Sequence, residues 1–141
     1  RKTGAKIGIY TREVRDLYWP YLRPQENGNR TDVRWLAIFS QEKKHGVLIK
    51  GMPHVDFSAH HNRIEDFESQ DRTDGIKYDG ERVKSRHTTD VVERDLTSLN
   101  IDYRQMGVGG DNAWGAKPHE EYRLEDSTYS YSFIIVPKAS R

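Results

Sequence analysis

The run Met106-Gly107-Val108-Gly109-Gly110-Asp111-Asn112-Ala113-Trp114-Gly115 sets four glycines around one tryptophan. Glycine reaches positive backbone dihedrals without steric cost, so the run predicts an irregular loop able to carry a large side chain away from the fold. An indole there offers a flat apolar face and one N–H donor. That surface suits the C–H-rich face of a pyranose, with Asp111 and Asn112 as neighbours able to hold hydroxyls. The alternative is that Trp114 caps the core, and the residues alone leave both readings open. A dinucleotide fingerprint is disfavoured: it needs a helix after the glycines and an acid about 20 residues on, whereas Trp114, Gly115 and Pro118 interrupt a helix.

The other chemically capable residues point less sharply. Histidines stand at 45, 54, 60, 61, 87 and 119, with no HExxH spacing. His60 and His61 are adjacent and so face opposite sides of a strand, which reads as surface or hydrogen-bonded histidine rather than a metal site. Glycoside hydrolysis needs two carboxylates across a bond. Glu65 with Asp66 and Glu120 with Glu121 are acid pairs, but spacing cannot set them so, and a solvated face is the default reading. Pro24-Gln25-Glu26-Asn27-Gly28-Asn29-Arg30 has the Pro, Asn and Gly of a turn. The chain contains no cysteine, which excludes disulfides and thiolate chemistry and leaves the redox compartment open.

The elements that must position these residues read as strands. Tyr129, Tyr131, Phe133 and Ile135 alternate with Ser130, Ser132 and Ile134, predicting a half-buried strand over 128–136. Val33, Trp35, Ala37 and Phe39 alternate with Arg34, Leu36 and Ile38, and 54–59 reads likewise. Residues 46–50 follow the polar stretch 40–45, predicting a hairpin with a longish turn. Leu99, Ile101 and Tyr103 mark a further strand, and 121–125 a weaker one. Only Asn62 to Gln70 suggests helix, with Asn62 as N-cap and Ile64 and Phe67 three apart among acids. Asp71 to Arg86 is polar and reads as loop. The expected class is all-β and antiparallel, with at most one short helix.

At 141 residues the chain fits one domain, and no repeat or linker divides it, so 1–141 is read as a single unit. Its hydrophobic fraction of 34% barely exceeds its charged fraction of 32%, yet eight Tyr, four Phe and three Trp supply the apolar area that disordered chains lack. Twenty-three basic residues face twenty-two acidic ones, interspersed, so a nucleic-acid partner is not expected. No run approaches the ~18–20 apolar residues of a bilayer span, and no membrane partner is expected. A start at Arg1 rather than Met suggests a piece of something longer.

Two segments together carry a resemblance. Leu17-Tyr18-Trp19-Pro20-Tyr21-Leu22-Arg23-Pro24-Gln25-Glu26-Asn27-Gly28-Asn29-Arg30 resembles the proline, glutamate, asparagine and glycine signature in the C-terminal domain of family 2 glycoside hydrolases of the β-galactosidase type. Leu99-Asn100-Ile101-Asp102 leading into Met106 to Trp114 is similar to that family's stretch before its active-site loop, and Tyr129 to Val136 looks like its closing strand. The likeness spans nearly the whole chain. It implies an antiparallel β-supersandwich of the galactose mutarotase-like kind, present here as its C-terminal half, at the end of a bacterial enzyme, cytoplasmic or periplasmic, that hydrolyses terminal β-galactosides such as lactose with retention.

The resemblance also implies a division of labour. Catalytic carboxylates and metal ligands belong to a barrel domain of the same chain. No catalytic residue, metal ligand or cofactor is expected within 1–141, and any magnesium or monovalent-cation requirement belongs to the parent. The one matching active-site position is Trp114, as a substrate-binding residue. The implied partners are a galactoside, the barrel domain and a further copy in a homo-oligomer. Two other readings stay open: a free-standing carbohydrate-binding module, which needs several aromatics on one exposed face, and a purely structural or oligomerising domain.

Overall fold

Strand-forming residues dominate the longest elements. β1 (Arg30–Phe39) and β2 (His45–His60) form a hairpin. Its turn is tied by Ser40 N–H to the His45 carbonyl and Lys43 N–H to the Ser40 carbonyl, both 2.8 Å, with Lys43 in the left-handed region at φ 56°. The other strands are β3 (Lys77–Tyr78), β4 (Glu81–Arg82), β5 (Ser98–Asp102) and β6 (Ser132–Ala139). The computed structural model describes residues 6–20, 27–67, 77–78, 81–82, 88–107, 109–112 and 114–139.

One sheet runs β1-β2-β5, with β6 also pairing β2; a second ladder joins β3 and β4. β6 runs antiparallel to β2 in a register that sets Leu48 opposite Val136, Ile49 opposite Ile135 and Gly51 opposite Phe133. β3 and β4 are also antiparallel. The fold is therefore all-β, as the alternating segments predict. Segments 46–50 and 54–59, read as separate strands, are one 16-residue strand that passes through the cis Met52-Pro53 peptide.

Three local expectations are corrected. The helix at 62–70 is a single 3₁₀ turn, Ile64–Phe67, with 68–70 outside the described residues. Asn62 lies two residues before this turn rather than next to it, and its amide donates to the Val92 carbonyl at 2.8 Å. Asp66 closes the turn instead, accepting from Arg63 N–H at 2.8 Å. The weak strand at 121–125 is not formed: Glu120–Tyr122 is a 3₁₀ turn held by Tyr122 N–H to His119 O and Arg123 N–H to Glu120 O. Within the polar stretch 71–86, residues 77–78 and 81–82 pair as strands, and the rest lies outside the described residues.

The chain divides into two compact units, residues 1–30 with 57–100 and residues 31–56 with 101–141. In the first, buried Ala59 and Phe67 stand beside buried polar groups: Asn27, Ser58, His60, Asn62 and Asp66. Phe67 packs against Tyr18, ring centroids 6.1 Å apart, and edge-on against His60 at 5.2 Å. Of the stretch Pro24–Arg30, whose residues alone read as a turn, Asn27 helps organise this unit, while 24–26 lie outside the described residues. Asn27 accepts from Trp19 N–H at 2.7 Å and donates to the Trp19 carbonyl at 2.6 Å, so a side chain satisfies a backbone as a neighbouring strand would.

In the second unit Leu36, Ile49 and Val55 form the apolar centre. Asp56 is buried there, and burial raises its carboxyl above the usual range despite N–H donors from Asp32 and Gln105; nearby Asp32 and Asp102 push the same way. The faces of this sheet are only partly covered. Trp35 and Phe39 in β1 and Ile134 and Ile135 in β6 are each about half exposed, whereas Leu36 on the alternate face of β1 is buried. The half-buried pattern predicted for 128–136 is thus realised only at Phe133 and Val136, and the strand itself begins at Ser132.

Candidate functional site

The loop carrying Trp114 lies in the unit of residues 31–56 and 101–141. It leaves β5 at Asp102 and is closed at its base by Gly107 N–H, which donates to the Tyr122 carbonyl at 2.8 Å. Beyond that closure the backbone enters the left-handed region at Gly109 (φ 77°) and Gly115 (φ 89°), where a side chain would be strained. Gly110 has a different reason: a Cβ there would run into the carbonyls of Ala116 and Lys117. Val108 and Ala113 lie outside the described residues.

Side chains stiffen what the glycines bend. Trp114 N–H donates to Asn112 Oδ1 at 2.8 Å, an Asx turn that fixes the backbone just before the indole. His119 Nε2 lies 3.0 Å from both carboxylate oxygens of Asp111, spanning the loop across eight residues while both side chains stay largely exposed. Asp111 and Asn112 therefore engage the loop itself before any ligand. Their neighbour is presented almost bare: Trp114 is 94% exposed. The core-capping alternative for Trp114 does not hold, since a capping ring would be covered on one side. Sequence reading missed His119, because nothing local marks a partner eight residues away.

The remaining candidates resolve into structural roles. His60 is buried with Nε2 2.6 Å from the Asn27 carbonyl, and His61 Nδ1 is 2.8 Å from the Leu96 carbonyl. Asp66 is engaged by Arg94 in a two-pronged pair, Nε to Oδ2 and Nη2 to Oδ1, both 2.8 Å. Glu120 and Glu121 are exposed on their 3₁₀ turn. Among the described residues no group of three or more His, Asp or Glu is placed to hold a metal ion. What the arrangement offers is one projected aromatic plane with polar groups at its foot.

Comparison with known proteins bears on the chain as a whole. The family model described as beta galactosidase small chain matches residues 1–135. A protein named beta-galactosidase from Priestia megaterium is 37% identical over 138 residues, 97% of this chain and 12% of the relative. Another of that name from Streptococcus thermophilus is 33% identical over 136 residues, 95% of this chain and 12% of the relative. A third, from Pseudoalteromonas haloplanktis, is 28% identical over 135 residues, 96% of this chain and 11% of the relative. The chain thus spans about one-eighth of the length of these curated relatives. With a family match over nearly all its residues, the chain belongs to the beta galactosidase small chain family.

Proposed function

We propose that this chain is the closing domain of a retaining β-galactosidase, lending Trp114 as a sugar-stacking platform to a site whose catalytic carboxylates lie elsewhere in a longer protein. The observation that carries this reading is the indole itself, 94% exposed on a loop whose glycines and Asx turn hold it clear of its own unit. Burying so large an apolar face against a sugar ring contributes about 1–2 kcal/mol, by analogy with aromatic pairs. The half-exposed Trp35, Phe39, Ile134 and Ile135 suit a domain that packs against other parts of a longer chain.

In the full-length protein, Trp114→Ala is expected to weaken galactoside and inhibitor binding roughly tenfold, the equivalent of about 1.4 kcal/mol, with little change in thermal stability. Isothermal titration of a non-hydrolysed galactoside beside a melting curve reads both. Unchanged affinity, or a large stability loss with affinity intact, would sink the assignment. The 141-residue chain alone is expected to show no turnover of a chromogenic galactoside; activity that survives purification and vanishes on changing one of its own carboxylates would overturn the division of labour.

A second reading, a free-standing carbohydrate-binding surface, has one observation in its favour. Tyr103 lies 5.6 Å from Tyr129 and 5.9 Å from Tyr131, which in turn lies 5.9 Å from Phe133. These rings are tilted 30–43° to one another and make no common plane. The Tyr131 and Tyr129 hydroxyls are bonded to the Ile101 carbonyl and the Asp126 N–H. Galactoside binding by the isolated chain that survives Trp114→Ala would favour this row over the loop.

A further inference from the structure

We propose that His60 is an acid-released clasp, holding Asn27, and through it Trp19, at the end of β2 while neutral and letting Asn27 go when protonated. The ring is 95% buried, being only 5% exposed, and is bonded on one side only. Its Nε2 faces the Asn27 carbonyl at 2.6 Å. A carbonyl only accepts, so Nε2 carries the proton and Nδ1 is a bare lone pair. Nδ1 is buried and has no partner among the described residues.

Protonation would give Nδ1 a hydrogen that nothing among the described residues receives, and a charge that no described carboxylate offsets. The surroundings oppose that charge from each side. Arg30, at the start of β1, and His61, next in the chain, both disfavour a second cation there. The turn carrying Phe67 brings Asp66, but that carboxylate is already bonded to Arg94. Tyr18 also stacks on Phe67, and burial keeps its phenol neutral. Burial foremost, with Arg30 and His61 adding to it, holds the imidazole below its ordinary value of 6.5, although the bond to Asn27 works in the opposite direction.

The ring can therefore take a proton only by leaving its place, and leaving breaks the bond to Asn27. Asn27 is the residue whose side chain pairs both the N–H and the carbonyl of Trp19. The closed form's advantage is complete above pH 6.5, where the open form is also neutral. It shrinks as pH falls below 6.5, because the open form binds the proton first.

The test is hydrogen exchange of the Trp19 amide, the donor to Asn27, in the full-length protein at pH 7.5, 6.0 and 5.0, normalised to intrinsic exchange rates. Wild type is expected to lose about fivefold or more of its protection by pH 5.0, the effect of one buried donor left unpaired. Amides within the 45–52 ladder should hold steady. His60→Gln, which keeps a donor for Asn27 and cannot titrate, should keep its Trp19 protection, whereas His61→Gln should behave as wild type. An equal acid loss in wild type and His60→Gln, or no loss in wild type, overturns the clasp. If His60→Gln does not fold at pH 7.5, the wild-type ratio of Trp19 to ladder protection decides: a fall supports the clasp and a parallel course refutes it.

Discussion

Replacing Arg94 with alanine is expected to lower the local stability of the first unit by about 3 kcal/mol, among the largest effects of any single truncation in this chain. The Asp66 side chain is only 6% exposed and that of Arg94 33% exposed. Deleting the cation thus strands a carboxylate that cannot rehydrate where it stands. Removing one partner of a buried pair typically costs 3–5 kcal/mol, and the partial exposure of Arg94 places this case at the lower end. Hydrogen exchange of the Arg94 backbone amide, which donates to the His61 carbonyl at 2.6 Å, reports the opening free energy directly.

The pH dependence of that loss follows from the same geometry. Burial by itself would raise the Asp66 carboxyl, but the bonds from Arg94 and from the Arg63 N–H, with both arginine charges, bring it below its ordinary value of 3.8. A lowered carboxyl stabilises the fold fully above its unfolded value. That contribution is lost as pH falls through the lowered one. In Arg94→Ala burial is opposed only by Arg63, so acid should relieve the variant while it weakens wild type. The gap between the two proteins is expected to narrow below about pH 4. A gap that stays constant down to pH 3 would mean that Asp66 is not the group responsible.

Gly28→Val is the second large effect, an expected loss of about 3 kcal/mol or more in the same unit. Gly28 sits at φ 64°, a region that side chains enter at a cost of about 1–3 kcal/mol. Its missing Cβ would also collide with the Leu17 carbonyl, which is backbone and cannot swing aside, and press on His60 Cε1. Gly28→Ala meets the same wall with one methyl and should fall between. Exchange of the Trp19 amide measures both variants, since that N–H is held by Asn27 next to the altered residue. Wild-type protection in Gly28→Val would show that the turn tolerates a left-handed side chain and that the collision is avoided.

These two sites differ in how far they could be read in advance. Asn27-Gly28 is a turn signature, so a glycine with positive φ was legible there. That Asn27 would also splint Trp19 and anchor His60 was not, because its partners lie 8 and 33 residues away. Asp66 and Arg94 are 28 residues apart, and neither stands in a pattern that announces the other. The 3₁₀ turn at 64–67 has the same distant origin: Asp66 within it takes the Arg63 N–H and is held by Arg94, 28 residues on. At 121–125 the apolar spacing was too sparse to hold a strand against the local turn made by His119, Glu120 and Tyr122.

By itself the sequence determined the all-β class, the hairpin at 40–45 and an irregular glycine-rich loop before Trp114, while leaving open whether that indole projects or caps the core. Strand alternation, turn chemistry and glycine conformation are local properties, set by each residue and its immediate neighbours. Only the tertiary structure decided which alternating face is covered, burying Leu36 while leaving Trp35 half exposed, since alternation marks two faces without saying which will find a partner. It likewise decided which polar groups became structural. Asp66, His60 and Asn62 owe their burial to partners distant in sequence, and a buried polar group persists only where such a partner meets it, which no stretch of neighbouring residues can specify.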